Sequence, residues 1–312
     1  MQAGTLYRSA EVEPSVALNP TSPANLIGMW QQDRWSNGGA QGLVVAASFD
    51  SGQHWTLSSV PFSLCTGGSV ANGGDFGRAT DPWVAISPDG TAYALSLSFS
   101  GATLVPGSAS AMLVARSIDG GLTWSAPTTL IRDGDQFFND KGTITADARD
   151  SRYAYAVWDR LNINQDGPTW MARTVDGGAS WEPARSIYDP GAGNQTLGNQ
   201  IVTLTGGTIV NLFTEIDAPP GMSVVLSLRA IRSSDHGDTW SAPVTIAELL
   251  ALGANDPDTG VPVRDGADVP AITSDSSGVI YVVWQDSRFS GGQRDAIALS
   301  RSMRPIAIGA GS

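Results

Sequence analysis

One octapeptide, Ser/Thr-x-Asp-x-Gly-x-x-Trp, constrains the fold of this 312-residue chain more than any other feature. It occurs four times, at Ser48–Trp55, Ser117–Trp124, Thr174–Trp181 and Ser233–Trp240. The residue types specify a tight hairpin turn. Asp accepts backbone N–H groups inside the turn, Gly supplies a positive φ, and Ser/Thr bonds locally. Trp buries its ring beside the turn while its N–H keeps a partner. Each copy sits between two short strand-like runs. The Asp positions, 50, 119, 176 and 235, are spaced by 69, 57 and 59 residues. A period of that size with strand-like filling is the mark of a repeat architecture.

The four copies resemble the Asp-box (BNR) repeat of the sialidase-like superfamily. That resemblance implies an all-β chain, a β-propeller of four-stranded antiparallel blades. It also implies that the boxes are structural turns on the face opposite the active site, so Asp50, Asp119, Asp176 and Asp235 are read as structural. Five repeats can be counted, at about 13–61, 80–130, 139–188, 198–246 and 267–309, within a single domain spanning 1–312. The first strands are predicted at Pro14–Leu18, Pro82–Ile86, Gly142–Ala146, Gln200–Leu204 and Val269–Thr273. The second strands are predicted at Asn25–Gln31, Thr91–Phe99, Tyr153–Trp158, Thr208–Glu215 and Val279–Gln285. The fifth box has lost its Asp, Gly and Trp, and Pro305–Ile308 is expected as a short last strand. Relatives of this look usually have six blades, so five and six both remain open. Thr5–Val12 is expected to pair into the last blade and remove an exposed edge. A two-sheet sandwich does not account for the repeat length.

Composition narrows the partners. The net charge of −12 opposes nucleic-acid or anionic-membrane binding, which needs clustered Lys and Arg. No apolar run reaches the length of a membrane span, and Met1–Arg8 has no signal-peptide core. The superfamily resemblance nevertheless implies a secreted protein, and a monomer is expected. The single cysteine, Cys65, rules out an internal disulfide and is expected to be an inert packed thiol. The two histidines, His54 and His236, both lie in box turns, which argues against a Ser-His-Asp triad or a His-ligated metal. No cofactor is expected. A carboxylate ring would suit Ca²⁺, but no spacing here is specific for it.

The loops at the other end carry the chemistry. Asp33-Arg34, Asp159-Arg160 and Asp286-Ser287-Arg288 leave the second strands of three repeats, and Glu215 with Asp217 takes that place in the fourth. The first strands begin at Glu13, Asp81, Asp140, Asn199 and Asp268, which predicts four carboxylates and one amide near a channel mouth. Arg8, Arg78, Lys141 and Arg264 lie beside them. Two connections are long, Pro61–Thr80 and Ala247–Ala267, and long loops on one rim are usual places for recognition. Repeated Asp-Arg pairs have a structural reading too, as charge-assisted ties between blades.

The resemblance implies a sialidase-type mechanism: an Arg cluster on the substrate carboxylate, a Tyr nucleophile paired with Glu, and an Asp acid/base. The Arg-Ile-Pro motif expected near the first strand is absent. The candidate catalytic residues are Asp81, Asp140, Glu215, Asp268 and Tyr188. Candidate substrate-binding residues are Asp33, Arg34, Arg78, Lys141, Asp159, Arg160, Asp286 and Arg288, with Arg34, Arg160 and Arg288 as the carboxylate clamp. A different glycosidase chemistry using two of Asp81, Asp140, Glu215 and Asp268 fits equally. The expected partner is a carbohydrate or glycoconjugate. The alternative is a non-catalytic carbohydrate- or protein-binding propeller using rim loops and aromatics such as Trp35, Trp170 and Phe289. A polysaccharide lyase is a third possibility, with its His base misplaced.

Overall fold

The computed structural model describes residues 4–218, 221 and 223–302, so the strand expected at Pro305–Ile308 lies outside the described residues. The chain falls into two compact units, Met1–Asn164 with Thr169–Ser186, and Gln165–Pro168 with Ile187–Ser312. Both are built from antiparallel sheets whose strands follow one another in sequence.

In the first unit, β1 (Leu6–Leu18), β2 (Leu26–Trp35), β3 (Ala40–Ser48) and β4 (Thr56–Ser59) form one blade. A second contains β5 (Arg78–Ile86), β6 (Ala92–Ser100), β7 (Ala109–Ser117) and β8 (Thr128–Asp133), joined to the first through an Ala40–Ala79 bridge. The third holds β9 (Phe137–Ala146), β10 (Ala154–Asn162), β11 (Thr169–Thr174) and β12 (Arg185–Tyr188). In the second unit, β13 (Gln195–Thr203), β14 (Ile209–Asp217), β15 (Val225–Ser233) and β16 (Val244–Glu248) make a fourth blade. A two-stranded hairpin follows, β17 (Ala254–Asn255) with β18 (Pro262–Val263). Last come β19 (Ala271–Ser274), β20 (Ile280–Asp286) and β21 (Ala296–Arg301).

The blades pack face to face through apolar side chains. Ile27, Met29, Leu43 and Val45 meet Val84, Ala94 and Leu113 between the first two blades. Tyr93, Leu95 and Leu97 meet Ile144, Ala156 and Trp158 between the next two. Such contacts bury the alternate face of each strand, which is why the strand positions were readable from the apolar pattern.

The four octapeptides form the same turn. In the second blade Ser117 Oγ donates to Asp119 and accepts the Gly121 N–H at 3.0 Å. Asp119 Oδ1 accepts the Thr123 N–H at 2.9 Å, and Trp124 Nε1 donates to the Gly121 carbonyl at 3.2 Å. Asp50, Asp176 and Asp235 accept the equivalent backbone N–H at 2.8, 2.9 and 2.9 Å. Hydrogen bonds from the Ser180 hydroxyl and N–H hold the Asp176 carboxyl down to about 2.

Leu6–Val12 is the front part of β1 and pairs with β2, Tyr7 opposite Arg34. Two expectations are corrected. The Pro61–Thr80 connection is tied into the core by Phe62 and Phe76, both buried, with Arg132 stacked on Phe76 and paired to Asp75. Cys65 is exposed, since this connection turns its Phe side chains inward instead.

Candidate active site

Four first strands share one irregularity. In β1 two residues, 13 and 14, oppose one of β2, and in β5 residues 81 and 82 oppose one of β6. Residues 141 and 142 of β9, and 198 and 199 of β13, repeat it. This two-against-one count is a β-bulge, and its first residue is left-handed. Glycine suits that conformation, and the fourth blade has it, Gly198 at φ 67°. The first three blades place Glu13, Asp81 and Lys141 there, at φ 54°, 51° and 49°. The position equivalent to Asp81 in the third blade is therefore Lys141, not Asp140. Left-handed bulky residues are strained and cluster at functional sites.

The bulges turn three acids toward one another. Asp81 shares a hydrogen bond with Asp140 on one side and with Glu13 on the other. Asp81 Oδ2 and Asp140 Oδ1 accept the same backbone N–H, that of Lys141, at 3.1 and 3.0 Å. The Lys141 ammonium lies 4.0 Å from Asp81 Oδ1. Gln31 Nε2 donates to Glu13 and to Thr80 Oγ1, the latter at 2.7 Å, and Thr80 Oγ1 donates to Asp81 at 3.0 Å. Arg34 donates to Gln31 Oε1 at 2.6 Å. Asp159 stands opposite Asp140 on β10, is 6% exposed, and has an Oδ1 with no hydrogen-bond partner.

Crowding of like charges away from water favours the protonated forms. Burial first, then the Asp81 charge, raises Asp140 to about 7. Burial and Asp81 raise Glu13 in the same way. Asp159 is pushed well up by burial and by Asp140. A hydrogen bond between two carboxyls needs one proton, and Asp140 is the group placed to carry it beside Asp81. Proton donation near neutral pH is what this arrangement can do chemically. Among the described residues no group of three or more His, Cys, Asp or Glu side chains is arranged to hold a metal ion.

The other candidates divide. Asp33 accepts the Ser9 N–H at 2.7 Å and ties β2 to β1. Arg78 is buried, donates to Asn37 Oδ1 at 2.9 Å and lies over Trp35, so it anchors the loop after β2. Arg160 does not pair with its neighbour Asp159. It forks onto Asp133 at 2.6 and 2.9 Å, clamped between the rings of Phe137 and Trp170. Consecutive strand residues face opposite ways, so Asp159 and Arg160 serve different sides of the blade. In the second unit Arg288 forks onto Asp286, which also takes the Trp284 N–H at 2.9 Å. Arg160 and Arg288 thus each hold a carboxylate of this chain.

Tyr188 and Glu215 do meet, in the second unit. The Tyr188 hydroxyl donates to Glu215 Oε2 at 2.5 Å, and Arg229 holds Glu215 Oε1 at 2.9 Å. Glu215 is buried, Tyr188 packs on Phe213, and burial followed by the Glu215 contact pushes Tyr188 up to about 12. That phenol keeps its proton at neutral pH. Asp268 is half-buried and its carbonyl accepts the Thr214 hydroxyl at 2.9 Å. Asn199 is buried and accepts the Asn211 amide.

Glu13, Gln31, Thr80 and Asp133 complete these networks. Glu13 was legible as the start of a first strand. The uncharged Gln31 and Thr80 gave no separate signal, and Asp133 ends a fourth strand with no recurring partner.

No protein-family model and no curated protein sequence matches the chain. Solved structures do. The α-L-arabinanase of Penicillium chrysogenum, complexed with arabinobiose, aligns over 87% of this chain and 77% of its own at 15% identity, with a TM-score of 0.58. The α-L-arabinofuranosidase Arb93A of Fusarium graminearum, with an iminosugar inhibitor, aligns over 95% and 82% at 12% identity and a TM-score of 0.56. The sialidase of Trypanosoma rangeli, with sialic acid, aligns over 95% of this chain but 47% of its own, at 12% identity and a TM-score of 0.56. At such identities the likeness is one of architecture. What the chain shares with these enzymes is its fold, a β-propeller.

Proposed function

We propose that the protein is a glycoside hydrolase whose proton donor is Asp140. The observation that carries this reading is the shared hydrogen bonding of Glu13, Asp81 and Asp140 around one backbone N–H and one ammonium, with Asp140 raised to about 7. Glycosidic cleavage needs an acid on the leaving oxygen and negative charge near the developing oxocarbenium ion. Asp140 supplies the first. Asp81, anchored by Lys141, supplies the second. Gln31 and Arg34 hold Glu13 against Asp81 from the opposite side. Asp81 and Asp140 touch, and so sit closer than the two carboxyls of either a retaining or an inverting pair. They act as one acid unit.

The structural neighbours named above act on arabinose polymers, arabinofuranosides and sialosides, so those sugars define the first substrates to try. An arabinoside fits best. It has no carboxylate, and two of the three arginines of the anticipated clamp are engaged with Asp133 and Asp286. The test is release of the aryl group from the α-L-arabinofuranoside, the sialoside and a uronide by the purified protein, followed by arabinan as polymer. Release from the arabinofuranoside is the expected result. Release from the sialoside alone would replace the arabinoside reading, and no release from any substrate by folded protein would overturn the hydrolase reading.

A further inference from the structure

One cross-strand pair stands just before the bulge of each first strand. In the first blade that pair is Val12 with Gln31, in the second Thr80 with Leu97, and in the fourth Leu197 with Thr214. None of these side chains is charged. Gln31, Leu97 and Thr214 are all buried, so the second-strand member of the pair is an interior position. In the third blade the same pair is Asp140 with Asp159. The third blade thus holds two acids where the other three hold no charge.

The two acids are supplied unequally. Asp140 accepts the Lys141 N–H at 3.0 Å and shares a hydrogen bond with Asp81. Asp159 is 6% exposed, its Oδ1 has no partner, and among the described residues no other side chain donates to it. Among the described residues no ion pair includes it either. The Lys141 ammonium lies by Asp81, and the adjacent Arg160 forks onto Asp133. The charged groups that face Asp159 are Asp140 and Lys141 of β9 and Asp81 of β5. Thr169, opposite on β11, brings no charge. A buried carboxylate without a donor or a cation is costly, and like charges directly opposite on paired strands repel. Protonation removes both costs. Burial first, then the charges of Asp140 and Asp81, favours the protonated form against a smaller pull from Lys141.

We propose that Asp159 is a positioning residue for Asp140, a carboxylic acid that keeps its own proton when Asp140 gives its proton away. An ionised Asp159 would press a further negative charge on Asp140 and hold the Asp140 proton too tightly for transfer. Uncharged, Asp159 leaves that proton to be set by Asp81 and Lys141. The role rests on the hydrolase reading. The protonation does not, and its test needs no substrate.

That test is the carboxylic C=O absorption of the full-length protein, read by difference infrared spectroscopy roughly two pH units above the Asp140 value of about 7. A protonated-carboxyl band is expected there in the wild type and is expected to be lost in Asp159→Asn. NMR of isotope-labelled aspartate gives the second reading. Asp159→Asn keeps both the shape and the absence of charge, so it should move the Asp140 titration by less than about half a unit. Were Asp159 ionised, the same substitution would lower that titration by roughly one unit or more. Should Asp159→Asn fail to fold, Asp159→Thr takes its place, with the residue that the fourth blade carries there. A wild type without the band, a band that survives in the variant, or a fall of the larger size in the Asp140 titration would each overturn the proposal. Silence toward every glycoside would instead overturn the hydrolase reading and leave these spectra unaffected.

Discussion

Asp176 and Asp140 belong to the same blade and differ in almost everything a carboxylate can differ in. Asp176 closes an octapeptide turn, where a hydroxyl and a backbone N–H donate to it and hold it down to about 2. Asp140 begins beside a bulge, where other carboxyls crowd it and burial raises it to about 7. One end of the blade saturates its acids with donors. The other end supplies too few, and protons make up the difference. Repetition of an acid along a chain therefore says little about its role. Its supply of donors says a good deal.

The sharpest way to break this contrast is Asp140→Asn. It should cut kcat on the best aryl glycoside by roughly a thousandfold without lowering the melting temperature, as expected for loss of a general acid. Retained activity would sink the assignment. Next in size is a pH effect. The Asp140 proton is present below about pH 7 and lost as pH rises through that value. kcat/KM should therefore fall on the alkaline side near pH 7. Asp81→Asn removes the neighbouring negative charge and should move that limb down by roughly one unit, measured on whatever rate remains.

Stability effects are smaller and separate the two ends. Asp133→Asn breaks the fork to Arg160 and should cost about 2 kcal/mol in denaturant unfolding, because the guanidinium stays largely buried between Phe137 and Trp170. Asp176→Ala should lower the melting temperature by a few degrees and leave turnover per folded molecule intact. The sign of its pH dependence is fixed: a carboxyl depressed in the fold stabilises above its unfolded value near 4. That contribution drains away as pH falls toward 2, in wild type but not in the variant. The smallest effect belongs to His54→Ala. Its contact with Asp50 is almost fully in solvent, and the melting temperature should not measurably move.

The sequence made the blades readable because a turn that needs Asp, Gly and Trp at fixed places leaves few alternatives. Strand lengths were less legible. Arg78 and Asn139 fell before the predicted first strands because polar side chains interrupt the apolar alternation, yet each lies within a strand that runs on to the bulge. In the site, Asp81 and Asp140 stood out by position, while their shared N–H on Lys141 was invisible to residue type. Of the two readings of the Asp-Arg dipeptides, the tie between blades describes Arg160, though its carboxylate is not the adjacent one. Adjacent strand residues point apart, so Arg160 reached across to Asp133 and left Asp159 to Asp140. The Tyr188–Glu215 pairing was anticipated, but its burial, which turns it into a packed phenol held by Arg229, depends on Phe213 folding over it.

The left-handed bulges point beyond this one molecule. Glycine at that place, as at Gly198, lets a strand bend without strain. Glu13, Asp81 and Lys141 accept a conformation of order 1 kcal/mol less comfortable and gain an outward charge for it. A single column in a set of related sequences would then sort blades by occupation, glycine marking scaffolding and a charged residue marking chemistry. A designer wishing to move the chemistry to the fourth blade would begin by replacing Gly198.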